Sequence, residues 1–214
     1  TTVARELGIT TALDNTYAAG VYFDAFAHGI DITMQALSKY IGGHSDVLLG
    51  SVTVRDEKLY QALGDARQLL GFGASPDDCS LALRGLQTLA VRLKHLVQST
   101  LRIAQWLSEQ PEIDSILHPA FPSCPGHEFW KRDFTGSSSV FSIVFQPQIG
   151  IPAITRLVDA LKLFKLGYSW GGVTSLVMPR FGMNRQYRSY GDRLVRLNVG
   201  LEDPQDLIAD LTGG

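Results

Sequence analysis

The order of apolar segments at the start of the chain constrains its fold more than any other feature. Residues 1–8 have the pattern of a helix that ends at Gly8, and residues 9–13 form a short β-prone run that ends at Asp14. A helix that leads directly into a strand is the second half of an α/β unit. We therefore expect an α/β domain, and we expect the chain to begin inside it. Further short elements are predicted at residues 31–35, 47–54 and 56–63.

The pattern changes in the second third of the chain. Apolar residues with helical spacing predict one long helix over residues 79–110, capped by Asp77 or Asp78. This helix is followed by predicted strands at 113–117, 139–145 and 194–199 and by predicted helices at 151–163 and 204–211. Such a mixture is typical of an α+β domain. We therefore place one domain at residues 1–70 and a smaller α+β domain at residues 71–214.

Composition disfavours several classes of function. The chain has 214 residues, 45% of them apolar, and a formal net charge of −2, so no global field would attract nucleic acid or an anionic membrane. No apolar run is long enough to span a bilayer. The two cysteines, Cys79 and Cys124, lack metal-ligand spacing and do not form a disulfide framework. We therefore expect a cytoplasmic protein without a metal site.

Lys39 lies in the segment with the clearest chemical character. Residues 38–46 read Ser-Lys-Tyr-Ile-Gly-Gly-His-Ser-Asp, and the lysine follows Asp14 by 25 positions. A lysine amine can bind an aldehyde covalently as a Schiff base. A carboxylate such as Asp14 can keep a pyridine nitrogen protonated, so that the ring accepts electrons. The pair predicts pyridoxal-phosphate chemistry, whereas a solvated lysine and a turn-capping aspartate are the alternative interpretation.

Two later segments carry candidate ligand-binding groups. Residues 168–172 read Tyr-Ser-Trp-Gly-Gly, where small residues would let a ligand approach backbone N–H groups. Arg196 lies in the middle of an apolar strand, and a buried guanidinium needs an anionic partner. A substrate carboxylate would supply one through two parallel hydrogen bonds. A structural ion pair with Glu202 or Asp192 is the alternative.

Four segments, taken together and in order, resemble the Cys/Met-metabolism family of pyridoxal-phosphate enzymes. They are residues 13–16 (Leu-Asp-Asn-Thr), 38–46, 168–172 and 195–202 (Val-Arg-Leu-Asn-Val-Gly-Leu-Glu). The Ser-Trp-Gly-Gly form at 169–172 is more similar to the β-lyase branch than to the synthases and γ-lyases. The resemblance implies an α/β fold, the C-terminal portion of a fold-type I pyridoxal-phosphate-dependent transferase. Residues 1–70 would end its large, mostly parallel-sheet cofactor-binding domain, and residues 71–214 would form its α+β C-terminal domain.

The resemblance also implies roles at the cofactor. Lys39 would hold pyridoxal 5'-phosphate and then remove the proton from the substrate Cα, and Asp14 would face the pyridine nitrogen. Thr16 would help to fix the ring through its hydroxyl, and Ser38 would reach the phosphate. Some relatives have a second hydroxyl three residues before the lysine, where this chain has Ala36.

For the substrate, the resemblance implies that Ser169, Trp170 and Arg196 surround the carboxylate, and that Ser169 also orients the amine of Lys39. The implied reaction is β-elimination of cystathionine, or of a related cysteine thioether, to homocysteine, pyruvate and ammonia. This reaction belongs to transsulfuration and to methionine biosynthesis.

Members of the family are considerably longer at the N-terminus than this chain. The absent portion would include a glycine-rich phosphate loop, an aromatic residue that stacks on the cofactor ring and a Tyr-x-Arg segment from a neighbouring subunit. We therefore expect a fragment that is inactive in isolation. Its expected partners are the amino-acid thioether substrate and the missing N-terminal portion of the same enzyme, in a homo-oligomer built as a dimer of active-site dimers (a homotetramer).

Three alternatives remain. The first is a cystathionine γ-synthase or γ-lyase of the same family, and the second is a non-catalytic oligomerisation module, which the intact site residues disfavour. The third is a nucleic-acid binder, which the slightly negative net charge disfavours. Its candidate basic residues are Arg180, Arg185, Arg188, Arg193 and Arg196.

Overall fold

The structure, a computed structural model, describes residues 1–182 and 189–213, which form two compact units. The units comprise Thr1–Leu89 with Phe134–Gly136, and Ala90–Asp133 with Ser137–Gly214. The assignment of residues 1–70 and 71–214 to two domains of a longer family member stays a prediction.

A three-stranded sheet organises the first unit. The elements of this unit are α1 (Thr2–Glu6), β1 (Ala12–Asp14), a 3-10 helix (Thr16–Ala18), β2 (Ile32–Ala36), β3 (Gly50–Val54), α2 (Glu57–Leu69) and α3 (Pro76–Gln87). Strand β2 lies in the centre of the sheet, parallel to β1 and antiparallel to β3. The carboxyl ends of β1 and β2 therefore lie at one edge of the sheet, so that Asp14 and Ala36 are the last residues of neighbouring parallel strands.

A five-stranded mixed sheet organises the second unit. The elements here are α4 (Leu89–Ser108), β4 (Ile113–Leu117), α5 (His127–Asp133), β5 (Val140–Phe145), α6 (Ile151–Ala160), β6 (Lys165–Leu166), β7 (Leu176–Pro179), a 3-10 helix (Gly191–Arg193), β8 (Leu194–Asn198) and α7 (Pro204–Gly213). The strand order is β4-β5-β8-β7-β6, and only the β6–β7 pair is parallel. This agrees with the predicted α+β character.

Strand β8 separates an apolar face from a polar one. Val195 and Leu197 lie in a buried apolar core together with Phe141 and Ile143 of β5. Because successive side chains of a strand point to opposite faces, residues 196 and 198 lie on the other side of the sheet. These two positions carry an arginine and an asparagine. They therefore face away from the core that Val195 and Leu197 help to form.

The single long helix predicted over residues 79–110 is wrong. The structure has two helices, α3 and α4, because the backbone leaves helical geometry at Thr88, where φ is −106° and ψ is 3°. Neither Asp77 nor Asp78 caps α3. Instead, the hydroxyl of Ser75 accepts a hydrogen bond from the Asp78 N–H at 3.0 Å, as is typical of a serine that precedes a helix.

Most of the remaining predicted elements are present with shifted ends, and β4 matches its predicted range of 113–117. Strands β6 and β7 and helix α5 were not predicted. The two strands have two and four residues, which is too short for a periodic pattern, and α5 follows a proline-containing loop that hides its start. Among residues 1–182 and 189–213, no helix combines the length and the apolar character needed to cross a bilayer.

His118 follows β4 and is fully buried. Its ring makes edge contacts with Phe121 and Phe141 at centroid distances of 5.8 and 6.0 Å, and its Nδ1 accepts a hydrogen bond from the Ala120 N–H. Burial lowers the pKa of His118 from 6.5 to about 4, against the opposing effect of a hydrogen bond to the Ser138 backbone. The folded chain therefore holds this imidazole in its neutral form at neutral pH.

Because the folded-state pKa of His118 is depressed, the stability that this residue contributes is complete above pH 6.5 and is lost towards pH 4. The unfolded chain binds a proton first, so we expect a loss of about 3 kcal/mol in the free energy of unfolding over this window. Urea unfolding at pH 7 and pH 4.5 should show a smaller difference for His118→Asn than for the wild type. Equal pH dependence of the two proteins would contradict this account.

Candidate functional site

The carboxylate of Asp14 is held in place at the edge where β1 and β2 end. Its Oδ1 accepts hydrogen bonds from the backbone N–H of Thr16 at 3.0 Å and from the hydroxyl of Thr16 at 2.5 Å. The same hydroxyl accepts a hydrogen bond from the N–H of Ala36 at 2.9 Å. Thr16 is 4% exposed, so water competes little for these bonds. The buried threonine therefore ties the aspartate of β1 to the end of β2.

Asp14 itself is exposed, in contrast to the threonine that holds it. In the part of the chain that the structure describes, both hydrogen bonds to this carboxylate fall on Oδ1. The second oxygen, Oδ2, is therefore available to a cationic N–H donor. A carboxylate that is held in place through one oxygen and can accept a hydrogen bond with the other is suited to pair with a protonated ring nitrogen.

Lys39 lies in a tight turn that begins where β2 ends. Its N–H donates to the carbonyl of Ala36 at 3.1 Å, and its own carbonyl accepts from the N–H of Gly43 at 2.7 Å. Hydrogen bonds thus connect Asp14, Thr16, Ala36 and Lys39 in series. The lysine is half-buried, and its neighbour Tyr40 is 1% exposed and anchors the turn.

Two glycines allow the turn to be this compact. A Cβ at Gly42 would come within 2.8 Å of the Leu37 carbonyl oxygen, and a Cβ at Gly85 of α3 would come within 2.9 Å of the Gly42 Cα. Helix α3 therefore packs directly against the backbone of the lysine-bearing turn. An ion pair between Arg84 and Asp46 at 3.3 Å adds a second, solvent-exposed link between the same two segments.

Ser38 already has a partner in the protein. Its hydroxyl accepts a hydrogen bond from the Leu49 N–H at 3.1 Å and donates to the Leu49 carbonyl at 3.3 Å. The predicted contact with a cofactor phosphate stays a prediction. To donate to a phosphate, this hydroxyl would have to give up the longer of its two bonds.

In the second unit, Arg196 holds the segment that contains Ser169. Its Nη2 donates to the carbonyls of Gly167, Tyr168 and Ser169 at 3.2, 2.6 and 3.2 Å. The arginine is half-buried, Ser169 is exposed, and Trp170 is half-buried. These contacts bring together two of the residues predicted to bind a carboxylate, Arg196 and Ser169, through the backbone of residue 169, and Trp170 is the next residue of the chain.

The two acids considered as ion-pair partners of Arg196 have other contacts. Glu202 accepts hydrogen bonds from the N–H and hydroxyl of Ser175, both at 2.8 Å. Asp192 accepts from the N–H of Gly182 at 2.6 Å.

Two arginines of the basic strip considered for nucleic-acid binding have contacts within the protein. Arg193 pairs with Asp114 at 3.2 Å and donates to the Phe145 carbonyl at 2.6 Å. The guanidinium of Arg180 lies 6.0 Å from the ring centre of Tyr168. Two further arginines of the proposed strip, residues 185 and 188, lie outside the described residues.

The sequence analysis assigned no role to Asn198, which lies two residues after Arg196 on β8. Asn198 is 0% exposed, and its Oδ1 accepts from the Ser139 hydroxyl at 2.9 Å and from the Gly171 N–H at 3.0 Å. The sequence signal that could have identified it is an amide side chain in a mostly apolar strand. A buried amide needs hydrogen-bond partners.

The residues of the first unit fit the predicted cofactor. The fixed, exposed carboxylate of Asp14 suits a pyridinium nitrogen, and the hydrogen-bonded turn presents a lysine within the same network. Within the described residues, no group of three or more His, Cys, Asp or Glu side chains forms a candidate metal site.

Comparison with known proteins identifies the family. The model for Cys/Met metabolism PLP-dependent enzymes matches residues 1–214. The cystathionine beta-lyase MetC of Escherichia coli (strain K12) is 42% identical over 208 residues, which cover 94% of this chain and 52% of that protein. An L-alanine/L-glutamate racemase of Wolbachia pipientis wMel is 38% identical over 213 residues, which cover 98% and 53%. The chain thus spans about half the length of these curated relatives.

Solved structures give the same result. A crystal structure of cystathionine gamma synthase from Xanthomonas oryzae pv. oryzae in complex with cystathionine superimposes with a TM-score of 0.90 at 32% sequence identity. The match covers 99% of this chain and 56% of that one. The predicted fold class is confirmed, as the C-terminal portion of a fold-type I enzyme, and so is pyridoxal phosphate as the cofactor of the family. The chain therefore belongs to the Cys/Met-metabolism family of pyridoxal-phosphate-dependent enzymes.

Proposed function

We propose that the protein is a pyridoxal-phosphate-dependent carbon–sulfur lyase that cleaves cystathionine, or a related cysteine thioether, by β-elimination. The observation that supports this most is the series of hydrogen bonds from Asp14 through Thr16 and Ala36 to Lys39. The series connects the Asp14 carboxylate to the backbone of Lys39, and an acid and a lysine amine are the two groups that such chemistry requires of a protein. The name of the relative from Escherichia coli, a cystathionine beta-lyase, supports the choice of substrate.

Lys39 and Asp14 have complementary roles in this proposal. Pyridoxal phosphate, when bound, supplies a conjugated ring that takes up the electrons left at the substrate Cα when its proton is removed. The Nζ of Lys39 is the attachment point for the aldehyde and later the base that takes the Cα proton, and a positioned base typically contributes about 10²–10⁴-fold. Oδ2 of Asp14 holds the proton on the ring nitrogen.

The remaining residues of the first unit position these groups. Thr16 acts on the cofactor through Asp14, because its only hydroxyl proton is directed to Oδ1 of that carboxylate. Ser38 would exchange its 3.3 Å bond to the Leu49 carbonyl for a phosphate oxygen. A charge-assisted bond to phosphate is about twice as strong as a neutral one, which favours that exchange.

Arg196, with Ser169 and Trp170, is the proposed site for the α-carboxylate of the substrate. The bonds from Nη2 to three backbone carbonyls fix the plane of the guanidinium before any ligand arrives. A planar guanidinium can recognise a carboxylate through two parallel hydrogen bonds, and for this Nη2 would give up one of its longer bonds to the carbonyls, because it has only two hydrogens. Its contribution to the rate is orientation, because a fixed carboxylate and a fixed substrate nitrogen together limit the directions in which the Cα–H bond can point.

The overall reaction consumes one water. The Cβ–S bond breaks, the sulfur leaves and gains a proton as the thiol of homocysteine, and the remaining three-carbon unit is hydrolysed to pyruvate and ammonia. The complete activity is assigned to a longer enzyme, with the N-terminal portion of the family and a homo-oligomeric, cytoplasmic assembly as the proposed partners and setting. Methionine biosynthesis is the proposed context.

Three related reactions compete with this proposal, and their products separate them. Full-length protein incubated with L-cystathionine should release pyruvate and homocysteine in equal amounts. Release of 2-oxobutyrate and cysteine would instead indicate a γ-lyase. Net formation of cystathionine in a second incubation, with L-cysteine and an activated homoserine ester, would indicate a γ-synthase, the enzyme named for the Xanthomonas relative. Conversion of L-alanine to D-alanine without pyruvate would indicate a racemase, as named for the Wolbachia relative.

The same assay tests whether these 214 residues need the rest of the enzyme. The chain carries the lysine and the acid but spans about half the length of its curated relatives. We therefore expect no pyruvate from the isolated chain. Measurable pyruvate from pure isolated chain would contradict the proposed need for the N-terminal portion, and no pyruvate from full-length protein would contradict the lyase itself.

A further inference from the structure

The segment that contains Ser169 and Trp170 is held in its conformation by hydrogen bonds to residues outside the segment. Residues 167–175, here called the carboxylate loop, connect β6 to β7. Their partners come largely from β8 and the residues directly after it, 196–202. Backbone groups at the start, in the middle and at the end of this loop are bound in this way, so that the loop is pre-formed rather than adaptable.

Asn198 makes the central contacts with the carboxylate loop. Its Oδ1 accepts from the Gly171 N–H at 3.0 Å, and its Nδ2 donates to the Thr174 carbonyl at 3.3 Å. Because the Gly171 N–H can only donate and the Thr174 carbonyl can only accept, these two bonds assign the amide oxygen to the side of Gly171, and the Ser139 hydroxyl donates to the same Oδ1 at 2.9 Å. With the side chain 0% exposed, water cannot replace these bonds.

The position of Asn198 along β8 explains why it acts on the same loop as Arg196. Residues two apart on a strand share a face, so both side chains project towards residues 167–175. Arg196 binds the first three carbonyls of the carboxylate loop. Asn198 binds the N–H of Gly171 in the middle of the loop and the carbonyl of Thr174 further along it. Glu202 then holds Ser175 at the loop's end.

The geometry of Gly171 makes this anchor important for the neighbouring residues. Gly171 has φ of +81°, a conformation that glycine adopts easily but that the unanchored chain would leave as easily. It is buried and directly follows Trp170. The amide of Asn198 therefore selects one backbone conformation at the position where Ser169 and Trp170 are oriented.

We propose that Asn198 is a positioning residue for carboxylate recognition, acting through the carboxylate loop and supported by Ser139. This inference rests on the proposed function, in which Arg196, Ser169 and Trp170 bind the α-carboxylate of the substrate. Asn198 does not touch the substrate. It maintains the loop conformation in which the guanidinium and the backbone of residue 169 stay together.

Backbone hydrogen exchange tests the loop contact without any catalysis. In full-length protein, Asn198→Ala should speed exchange of the Gly171 amide by about tenfold or more, because this N–H loses its acceptor. Ser139→Ala, which removes the hydroxyl that donates to Oδ1 of Asn198 but leaves the asparagine in place, should act in the same direction with a smaller effect. His118→Asn is the matched control. It also changes a fully buried polar side chain of the second unit, but the His118 ring is hydrogen-bonded to the backbone of Ala120 and not to the carboxylate loop.

Steady-state kinetics with L-cystathionine then tests the functional consequence. Asn198→Ala should raise KM about tenfold while kcat changes less than about threefold, since a loosened carboxylate site weakens substrate binding. In a double-mutant cycle with Arg196→Lys, the effects on KM should be less than additive because both residues act through one loop. His118→Asn should leave KM unchanged and combine additively.

The outcomes separate this inference from the proposed function. If Arg196→Lys leaves KM unchanged, the assignment of the carboxylate site fails. If Arg196→Lys raises KM but Asn198→Ala and Ser139→Ala do not, Asn198 is a structural residue only and the inference is overturned. Fast exchange at Gly171 with an unaltered KM, or a fully additive cycle, would overturn it as well.

Discussion

Replacing Lys39 by alanine is expected to lower kcat/KM for cystathionine by at least about 10⁴-fold, the upper part of what a positioned base contributes. The loss is this large because one amine would both attach the cofactor and remove the Cα proton. The hydrogen-bonded turn of residues 36–43 fixes the backbone from which this amine projects. Pyruvate release by full-length protein is the measurement.

Lys58→Ala is the matched control for the lysine. Lys58 is exposed on α2, in the same unit, and its replacement should leave kcat/KM within about twofold of the wild type, as is usual for a solvated surface position. Added methylamine should partly restore activity to Lys39→Ala if the amine is what is missing. A Lys39→Ala protein with more than about a tenth of wild-type activity would exclude the lysine as base and attachment point.

Replacing Asp14 by asparagine is expected to lower kcat by about 10²–10³-fold, the typical loss when one preorganised electrostatic group is removed from an active site. The amide keeps the size of the side chain and can still accept the two bonds from Thr16. It has no negative charge to keep a ring nitrogen protonated. The effect should therefore fall on kcat, with KM changed much less.

Asp65→Asn provides the comparison for the aspartate, since it neutralises an exposed carboxylate of α2 in the same unit. If Asp14→Asn and Asp65→Asn gave equal kcat values, the carboxylate of Asp14 would have no role in the reaction. A raised KM with unchanged kcat would place Asp14 in substrate binding instead.

The local sequence pattern was sufficient to predict the strands of five or six residues in the second unit. Strands β4, β5 and β8 each have at least three apolar residues among five or six positions, and each was predicted within a residue of its observed ends. The helix break at Thr88 was not, because apolar residues continue at helical spacing across it. Periodicity reports which residues face a core but not where the backbone changes direction.

The candidate site was predictable where residue type alone limits the chemistry. A lysine and an acid, each in one of the segments that resemble the family, predicted Lys39 and Asp14 as site residues. The contacts that hold them were not predictable, because Thr16 and Ala36 are 20 positions apart and Ser139 and Asn198 are 59 apart. Such pairs are set by strand order and register, which no local pattern contains.

For Arg196, the contacts expected from the sequence differ from those in the structure. A guanidinium inside an apolar strand predicted an anionic partner, yet three backbone carbonyls surround its Nη2. Carbonyl oxygens carry enough partial negative charge to accept from a guanidinium without neutralising it. The positive charge is thereby retained, which is what a site for a substrate carboxylate requires.

The central claim is that Lys39 holds the cofactor within the network that begins at Asp14. Peptide mapping after borohydride reduction of full-length protein loaded with pyridoxal phosphate tests it most directly. We predict a pyridoxyl group on the peptide that contains Lys39, present in the wild type and in Lys58→Ala and absent from Lys39→Ala. A pyridoxyl group on a different lysine of the wild-type protein would contradict the account.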